Sequence, residues 1–582
     1  MENYKITSYV DNLIEAYSGS VERVNGLVRN PKEIIRTVEF YTNSQYVSGN
    51  TDSLGRDKPF YNIGNFRVTT AKTATDLDVK DIKFEPDSLK FADEAMLINH
   101  EVYKYLKEIN FSLTLNEMGN TRPKYGGVLV KKTESKGKLN IEVVDWTNVD
   151  FDPNDVLGGA IVETFYLQPS ELQKKADVWY NVDEFLTAHN KFNKNKPVKL
   201  EIKEISGEFP LSMYPENEDN RDYKDEGKYA RMCFYIGYVN KKKFVLYYEL
   251  EKENKYKYLP WEAVGKGLGR GVIEDGFEAQ IWTNDSMISM KNAMELSGKV
   301  VMYSDSQKIS GNVLTDVDNG HIYEIERGST IAPLNLSATA LPQIQNVIEL
   351  WKQQYNNAAS TYDANTGEAP TAGTPYSQTA LLNQVANTPF EYRREEWGIF
   401  LNEILNDWIL PHIKKRITKE HYLISEFSTE DIEKIDEAIA NDTVNGEIVK
   451  MLLNDQEVTK DTQASLTMGV KGELQKKGKK REVKIPEGYL DVEGNLTANI
   501  TGELKNKGVI LQSLDSIFKT VVSTFNPNTG EYGALQDPIL SKIFGQIIEM
   551  SGVPLSSLQL GGGKMPTQAV AQPDLSAIPQ QM

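Results

Sequence analysis

GKGLGRGVIEDGFEAQIWTNDSMISMKNAMELSGKVVMY (Gly265–Tyr303) decides how the chain is read: a glycine-rich turn leads straight into a helix dotted with polar residues. The spacing predicts that helix over Ile273–Tyr303. Asp305–Ala340 follows as a small insert, with strand-like runs such as HIYEIE (His321–Glu326) between Gly and Pro breakers. A second helix is predicted over Leu341–Tyr362, with apolar positions at Ile344, Val347, Ile348, Trp351, Tyr355 and Tyr362. DANTGEAPTAGTP (Asp363–Pro375) is too rich in Gly, Pro and small residues to form an element. Tyr376–Ile417 reads as helix again, with Trp397, Phe400, Leu401, Ile404, Leu405, Trp408 and Ile409 on one stripe. Within it, Pro389 either kinks one helix or marks the joint of two ordinary helices at Asn387–Pro389. Two helices around a compact insert, followed by a flexible loop, suggest a repeated structural part of an assembly rather than a catalytic pocket.

Around this stretch, 582 residues exceed one ordinary core, so two or more domains are expected. Met1–Trp261 reads as one mixed α/β domain. Residues 1–45 look helical, Lys58–Phe84 mixes alternation and turns, and helical character returns over Leu89–Leu106. GGVLVKKT, LNIEVVDW, AIVETFYL, YARMCFYIGYV and KKKFVLYYELE are short β-branched or aromatic runs, interrupted by helical inserts at Pro169–Val178 and Val182–Phe192. Past Ile417, STEDIEKIDEAIAND opens on a near capping box and continues with helical spacing. KGELQKKGKKREVK (Lys471–Lys484) reads as a solvated loop, with contact to DNA phosphate or an acidic partner as the alternative. Helical periodicity resumes at Leu504–Val522 and Ile539–Met550, and the Gly/Pro/Gln-rich tail reads as disordered.

Composition narrows the function. A formal charge of −18 argues against tight, general DNA binding, yet suits a wall past which DNA must slide without sticking. No apolar run approaches the about 18 residues of a membrane span, and MENYKITSYVDNLIEAYSGS lacks a signal peptide's apolar core. Cys233 is the single cysteine, which excludes an intrachain disulfide and a Cys-clustered zinc site; in ARMCFYIGYV it reads as a buried, inert thiol. These traits fit a reducing cytoplasm. The Gly-Lys pairs at 265, 298 and 563 are not followed by Ser or Thr, so no P-loop is present, and GKGLGRG reads as a flexible hinge before a helix. DFDPND (Asp150–Asp155) lacks the Gly and Glu of a calcium loop and reads as an Asp-stabilised turn. His100, His189, His321, His412 and His421 are scattered without metal-ligand spacing, and His412 reads as a packed core residue. No GxSxG elbow occurs. No catalytic residue, metal or cofactor is therefore expected.

The order of parts resembles the portal protein of tailed bacteriophages, the ring through which genomic DNA enters and leaves the capsid. GRGVIEDGFEAQIWTNDSMISMKNAMELSGKVV resembles the entry of the portal stem, and DANTGEAPTAGTPYSQTALL the tunnel loop with the helix start behind it. FYTNSQYVSG and KPFYNIGNFRVTTAKTATDL resemble early wing segments, and GYLDVEGNLTANITGELKNKGVILQSL the return of the wing toward the crown. These segments are spread over residues 35–525, and portals of crAss-like, short-tailed phages are the nearest in resemblance.

The resemblance implies an α+β portal fold with a mixed α/β wing, α-helical stem, small β-containing clip and α-helical crown. The wing would take 1–261, a hinge and first stem helix 262–304, the clip 305–340 and the second stem helix 341–362. The tunnel loop would take 363–375, the long helix and wing return 376–500, the crown 501–552 and the tail 553–582. It further implies a ring of about twelve copies closed by two different surfaces on each protomer. Implied partners are the major capsid protein, a terminase motor that hydrolyses ATP, head-tail adaptor or tail proteins, and double-stranded DNA in the lumen, with no membrane. The expected location is the virion vertex after assembly in the host cytoplasm. The implied DNA-channel residues are Tyr362, Asp363, Asn365, Thr366, Gly367, Glu368, Thr371, Gly373 and Thr374. Asn312, Thr315, Asp316, Asp318, His321, Tyr323, Glu324 and Glu326 would serve partner docking at the clip. The tunnel loop contains no Lys or Arg, which speaks against a strong phosphate grip. The other readings are a different ring component of the connector or tail, and an enzyme of unrecognised family.

Overall fold

The computed structural model describes residues 4–297, apart from 25, 78, 80–81, 88–91, 136, 195, 197 and 215–226. Beyond these it describes 301–304, 331–334, 341–360, 376–416, 421–426, 429–453, 460–476, 480–485, 494–498 and 525–532 except 527–530. The chain divides into two compact units, Met1–Asn499 and Ile500–Met582.

The first unit opens with α1 (Tyr4–Gly19), a hairpin of β1 (Glu22–Val24) and β2 (Leu27–Arg29), and α2 (Pro31–Thr42). The hairpin corrects the helical reading of residues 1–45: Gly26, at φ 83°, turns the chain where most side chains resist. Asn30 then caps α2 by accepting the Lys32 and Glu33 amides, with Pro31 at the first helical position. Next come α3 (Gly64–Ala74), β3 (Ile82–Pro86), α4 (Ala92–Glu108) and α5 (Phe111–Tyr125).

The β-rich part contains β4 (Gly127–Ser135), β5 (Lys138–Val143), β6 (Val149–Asp150), β7 (Ile161–Leu167), α6 (Pro169–Gln173), α7 (Val182–Phe192), β8 (Leu200–Pro210), β9 (Tyr229–Val239), β10 (Lys242–Leu250) and β11 (Tyr256–Pro260). The aromatic and β-branched runs fall on β4, β5, β7, β9 and β10, and the helical inserts on α6 and α7. Strands β10-β9-β8-β7-β6 form one antiparallel sheet and β11-β4-β5 another. Charged side chains join the two sheets. Lys131 of β4 reaches Glu163 at 2.6 Å and Glu204 at 3.1 Å; Lys255 reaches Glu204 at 2.6 Å, Glu251 at 2.9 Å and the Cys233 sulfur at 2.9 Å. Burial alone would raise the Glu204 carboxyl, but Lys131 and Lys255 outweigh it and hold the group below its ordinary value. Cys233 is fully buried, and that burial pushes its thiol up.

The central helices follow: α8 (Val272–Asp275), α9 (Phe277–Ser297), β12 (Val301–Ser304), β13 (Ile331–Leu334), α10 (Leu341–Ala358), α11 (Tyr376–Ile404), a π-helical turn at Leu405–Ile409, and α12 (Leu410–Arg416). The helix expected to reach Tyr303 therefore stops earlier. Val301–Ser304 pairs antiparallel with Ile331–Leu334, because a β-branched run after Gly298 favours extended backbone over further turns. After α12 come β14 (His421–Glu426), α13 (Thr429–Leu453), α14 (Lys460–Lys476), β15 (Lys480–Ile485) and β16 (Gly494–Ala498). The lysine-rich segment read as a loop thus ends α14 and enters β15, which pairs with β14. Strand β16 returns across more than four hundred residues to pair with β3. The second unit's described residues form one short hairpin, β17 (Phe525–Asn526) with β18 (Glu531–Tyr532).

Separate apolar clusters underlie these elements. One packs α4, α5, β4 and β5 against Trp397, Phe400, Leu401, Ile404, Leu405, Trp408 and Ile409, the whole predicted stripe of the long helix. A second gathers Trp146, Tyr256, Trp261, Leu268, Val272, Ile273, Tyr355 and Phe390 at the root of the central helices. The architecture is α+β, and no helix among the described residues is long and apolar enough to cross a membrane.

Candidate functional site

The site is the hairpin of α9 and α10 and the corner that anchors it. Gly265–Gly271 is no free hinge, contrary to the sequence reading. A Cβ on Gly267 would collide with the Pro153 carbonyl, and one on Gly269 with the Gly126 carbonyl; one on Gly271 would lie 2.6 Å from the Gly126 nitrogen. The glycines let two backbone segments cross at contact distance, with Gly126 itself at φ 91°. Glu262 bridges to Arg270 and Asp155 to Lys266, so the loop is stitched on both sides.

Arg29, 8% exposed, fastens this corner. Its guanidinium donates to the carbonyls of Leu268 at 2.6 Å and Gly269 at 3.2 Å, to Glu22 at 2.7 Å, and to both carboxylate oxygens of Glu274 at 3.1 and 2.8 Å. Burial raises the Glu22 carboxyl above its usual range although Arg29 pulls it down. One turn on, burial pushes Asp275 up to about 7, with Glu262 and Glu274 adding to the rise and Arg270 and Arg393 opposing it.

Helix α9 shows little amphipathic contrast because its buried face is partly polar. The Gln280 side chain accepts from the Ile63 and Gly64 amides at 3.2 and 3.1 Å and donates to the Tyr61 carbonyl at 2.6 Å. Asn284 accepts from the Tyr61 amide at 2.7 Å. Further along, Lys291 donates to the Asp57 carbonyl at 2.9 Å and Arg56 pairs with Glu295 at 3.2 Å. The loop between α2 and α3 is thereby strapped along the helix for some four turns.

Helix α10 is held differently. Of its predicted apolar face, Ile348 and Tyr355 are buried, whereas Val347 is 42% exposed. Tyr355 packs on Gly276 and donates to the Val272 carbonyl at 3.2 Å. On the outer flank Trp282 and Trp351 stack with ring centres 6.1 Å apart, and Ile281, Trp282, Val347 and Leu350 are about half exposed.

Tyr362, Asp363, Asn365, Thr366, Gly367, Glu368, Thr371, Gly373 and Thr374 lie outside the described residues, as do Asn312, Thr315, Asp316, Asp318, His321, Tyr323, Glu324 and Glu326. Their two flanks are described: β12 and β13 close the base of the 305–330 insert, and α10 and α11 bracket 361–375. Pro389 sits inside the single helix α11, which settles the choice between one helix and two. Its neighbour Phe390 is buried beside Trp261. Asp150–Asp155 is the expected turn: Asp152 accepts from the Asn154 amide and Asp155 from the Leu157 and Gly158 amides. His412, half-buried next to Tyr105, has its imidazole pKa lowered by burial.

Sequence reasoning missed Arg29, Gln280 and Asn284. The backbone groups they bind lie more than 200 residues away, and neither a strand end nor a polar position on a helix shows which distant segment it will meet. Among the described residues one group, Cys233, Glu249 and Glu251, brings three ligand-type atoms within 4.8 Å. The Lys255 ammonium already touches two of its members, at 2.9 Å each. No protein-family model and no curated protein matches the chain.

Proposed function

We propose that this chain is the subunit of a portal ring, about twelve copies set at one capsid vertex as a conduit for double-stranded DNA during packaging and ejection. The carrying observation is the α9–α10 hairpin, rooted in the core at Gly276 and Tyr355 and bearing Ile281, Trp282, Val347 and Leu350 on its outer flank. A lone chain leaves that flank in water, and a neighbouring copy in a ring would cover it. The rigid root and the strap along α9 suit a conduit wall that bears load without catalysing anything. Hydrolysis of ATP belongs to a separate terminase motor, which docks with the insert between β12 and β13 and later yields to adaptor or tail proteins. The 363–375 segment is the tunnel loop, and the ring meets the major capsid protein at its periphery.

Negative-stain electron microscopy of the purified chain tests this. Rings with a central hole wide enough for a duplex support the reading; a closed oligomer without a channel defeats it. A different ring component of the connector or tail remains the rival, separated by locating the protein within the particle.

A further inference from the structure

The lysines of this acidic chain are unevenly distributed. Lys32, Lys124, Lys131, Lys138, Lys255 and Lys257 are all ion-paired. At one end of the five-stranded sheet the pattern reverses. Lys191, Lys194, Lys196, Lys199, Lys241 and Lys242 are all exposed, and none has an ion-pair partner among the described residues.

The topology brings these six together. Glu201 lies across from Tyr238 and Val239 across from Lys242, so Lys199, one residue before β8, continues beside the turn at Asn240 and Lys241. The segment after α7 folds back onto the same end: His189 is hydrogen-bonded to the Val198 carbonyl at 3.0 Å, and the Lys196 amide donates to the Asn193 carbonyl at 3.0 Å. Glu201 of β8, across from Tyr238, shares this sheet end and offsets one of the six charges. Asp11 is taken by Lys243. Asp183 and Glu184 lie toward the opposite end of α7, about 10–12 Å from Lys191 by helix rise.

We infer that this sheet end is a docking surface for the phosphate backbone of double-stranded DNA. Six ammonium groups, four on loops and two at the ends of α7 and β10, form a row of point charges, which matches a delocalised row of phosphates and reads no sequence. A protein partner would instead want a central apolar anchor in a pocket, and Phe192 and Val198 are the exposed apolar side chains interspersed here. The total of −18 does not forbid the contact, because at physiological salt a phosphate feels charges within about 8 Å. None of these lysines belongs to the α9–α10 hairpin, so the inference stands whether or not the chain forms a ring.

The test is fluorescence anisotropy of the full-length protein with a labelled duplex of about 30 base pairs across a salt series. The variant carries Lys194→Ala, Lys196→Ala, Lys241→Ala and Lys242→Ala. Its affinity should fall at least about tenfold at low salt, and the log–log salt slope should drop by about 3 to 4, near 0.9 for each phosphate no longer neutralised. The matching four arginine substitutions should retain both, which separates charge from folding. Removing Lys72, Lys83, Lys107 and Lys252 instead should leave binding near the parent's. Parent-like affinity and slope in the alanine variant overturn the inference, as does an equal loss in that control. Equal affinity for poly-glutamate also overturns it, assigning the surface to an acidic protein.

Discussion

The Tyr355 ring covers the α-carbon of Gly276 so closely that a single methyl group there has no room. The ring cannot swing aside cheaply, because its hydroxyl is tied to the Val272 carbonyl at 3.2 Å and the residue is 1% exposed. Gly276→Ala should therefore cost about 1–3 kcal/mol or more through overpacking. Chemical denaturation checks this: the midpoint should fall with an unchanged slope. A parent-like midpoint would mean that α10 is loosely seated.

Arg29 neutralises Glu22 and Glu274 while fastening two carbonyls of the glycine corner. Arg29→Met should cost about 3–5 kcal/mol, since it leaves buried Glu22 uncompensated. Adding Glu22→Gln should recover part of that loss, and the recovery is read as the coupling in a double-mutant cycle. Strict additivity would mean that Arg29 and Glu22 do not stabilise one another.

Asp275 holds its proton to about pH 7 in the folded chain, against 3.8 for an ordinary aspartate. Between those values the folded state binds more protons than the unfolded one, so this group makes stability fall as pH rises, with a limiting slope of about 1.4 kcal/mol per pH unit. Asp275→Asn should flatten that part of the stability–pH curve and gain on the parent at pH 8. Unfolding midpoints from pH 4 to 8 measure it, and parallel curves would refute it.

If the α9–α10 flank meets a neighbouring copy, Trp282→Ser with Leu350→Ser should weaken assembly at least about tenfold in concentration, since aromatic anchors dominate such interfaces. Both side chains are about half exposed in the single chain, so monomer stability should fall by only about 1–2 kcal/mol, chiefly from losing the Trp282–Trp351 stack. Light scattering across a dilution series reads the assembly, and thermal melting of the dilute protein supplies the control.

If the chain forms the proposed portal ring, deleting Ala364–Thr374 should leave rings intact while impairing DNA packaging or retention. Ring counts by microscopy and packaged DNA per particle measure the two effects separately. Loss of rings would show that the segment is misassigned.

The order of helices and strands was largely legible because periodicity reports directly on burial. The stripe from Trp397 to Ile409 and the five aromatic strand runs all lie where their spacing puts them. Strand β8 went unread, since LEIKEISGEFP mixes alternation with a buried glycine and two buried polar residues, Glu204 and Ser206. Helix α5 was also missed, with Pro123 in its last turn discouraging the reading. The glycine corner was found but misjudged: Gly267, Gly269 and Gly271 look like slack in one dimension, whereas their role is proximity to Gly126 and Pro153, more than a hundred residues earlier. Of the site, the framing helices were legible. The docking side chains Arg29, Gln280 and Asn284 were not, because each is defined by a distant backbone partner.

The strap along α9 also sets an order of events at the ribosome. Tyr61 and Ile63 leave the exit tunnel long before Gln280 and Asn284, some 220 positions later in the chain. At about 5–20 residues per second this is a wait of roughly 10–45 s. Through that interval the amides of Tyr61, Ile63 and Gly64 have only water to bond, and Ile63, which ends buried, stays open to passing chaperones. The loop between α2 and α3 thus cannot take its final place until α9 has been made.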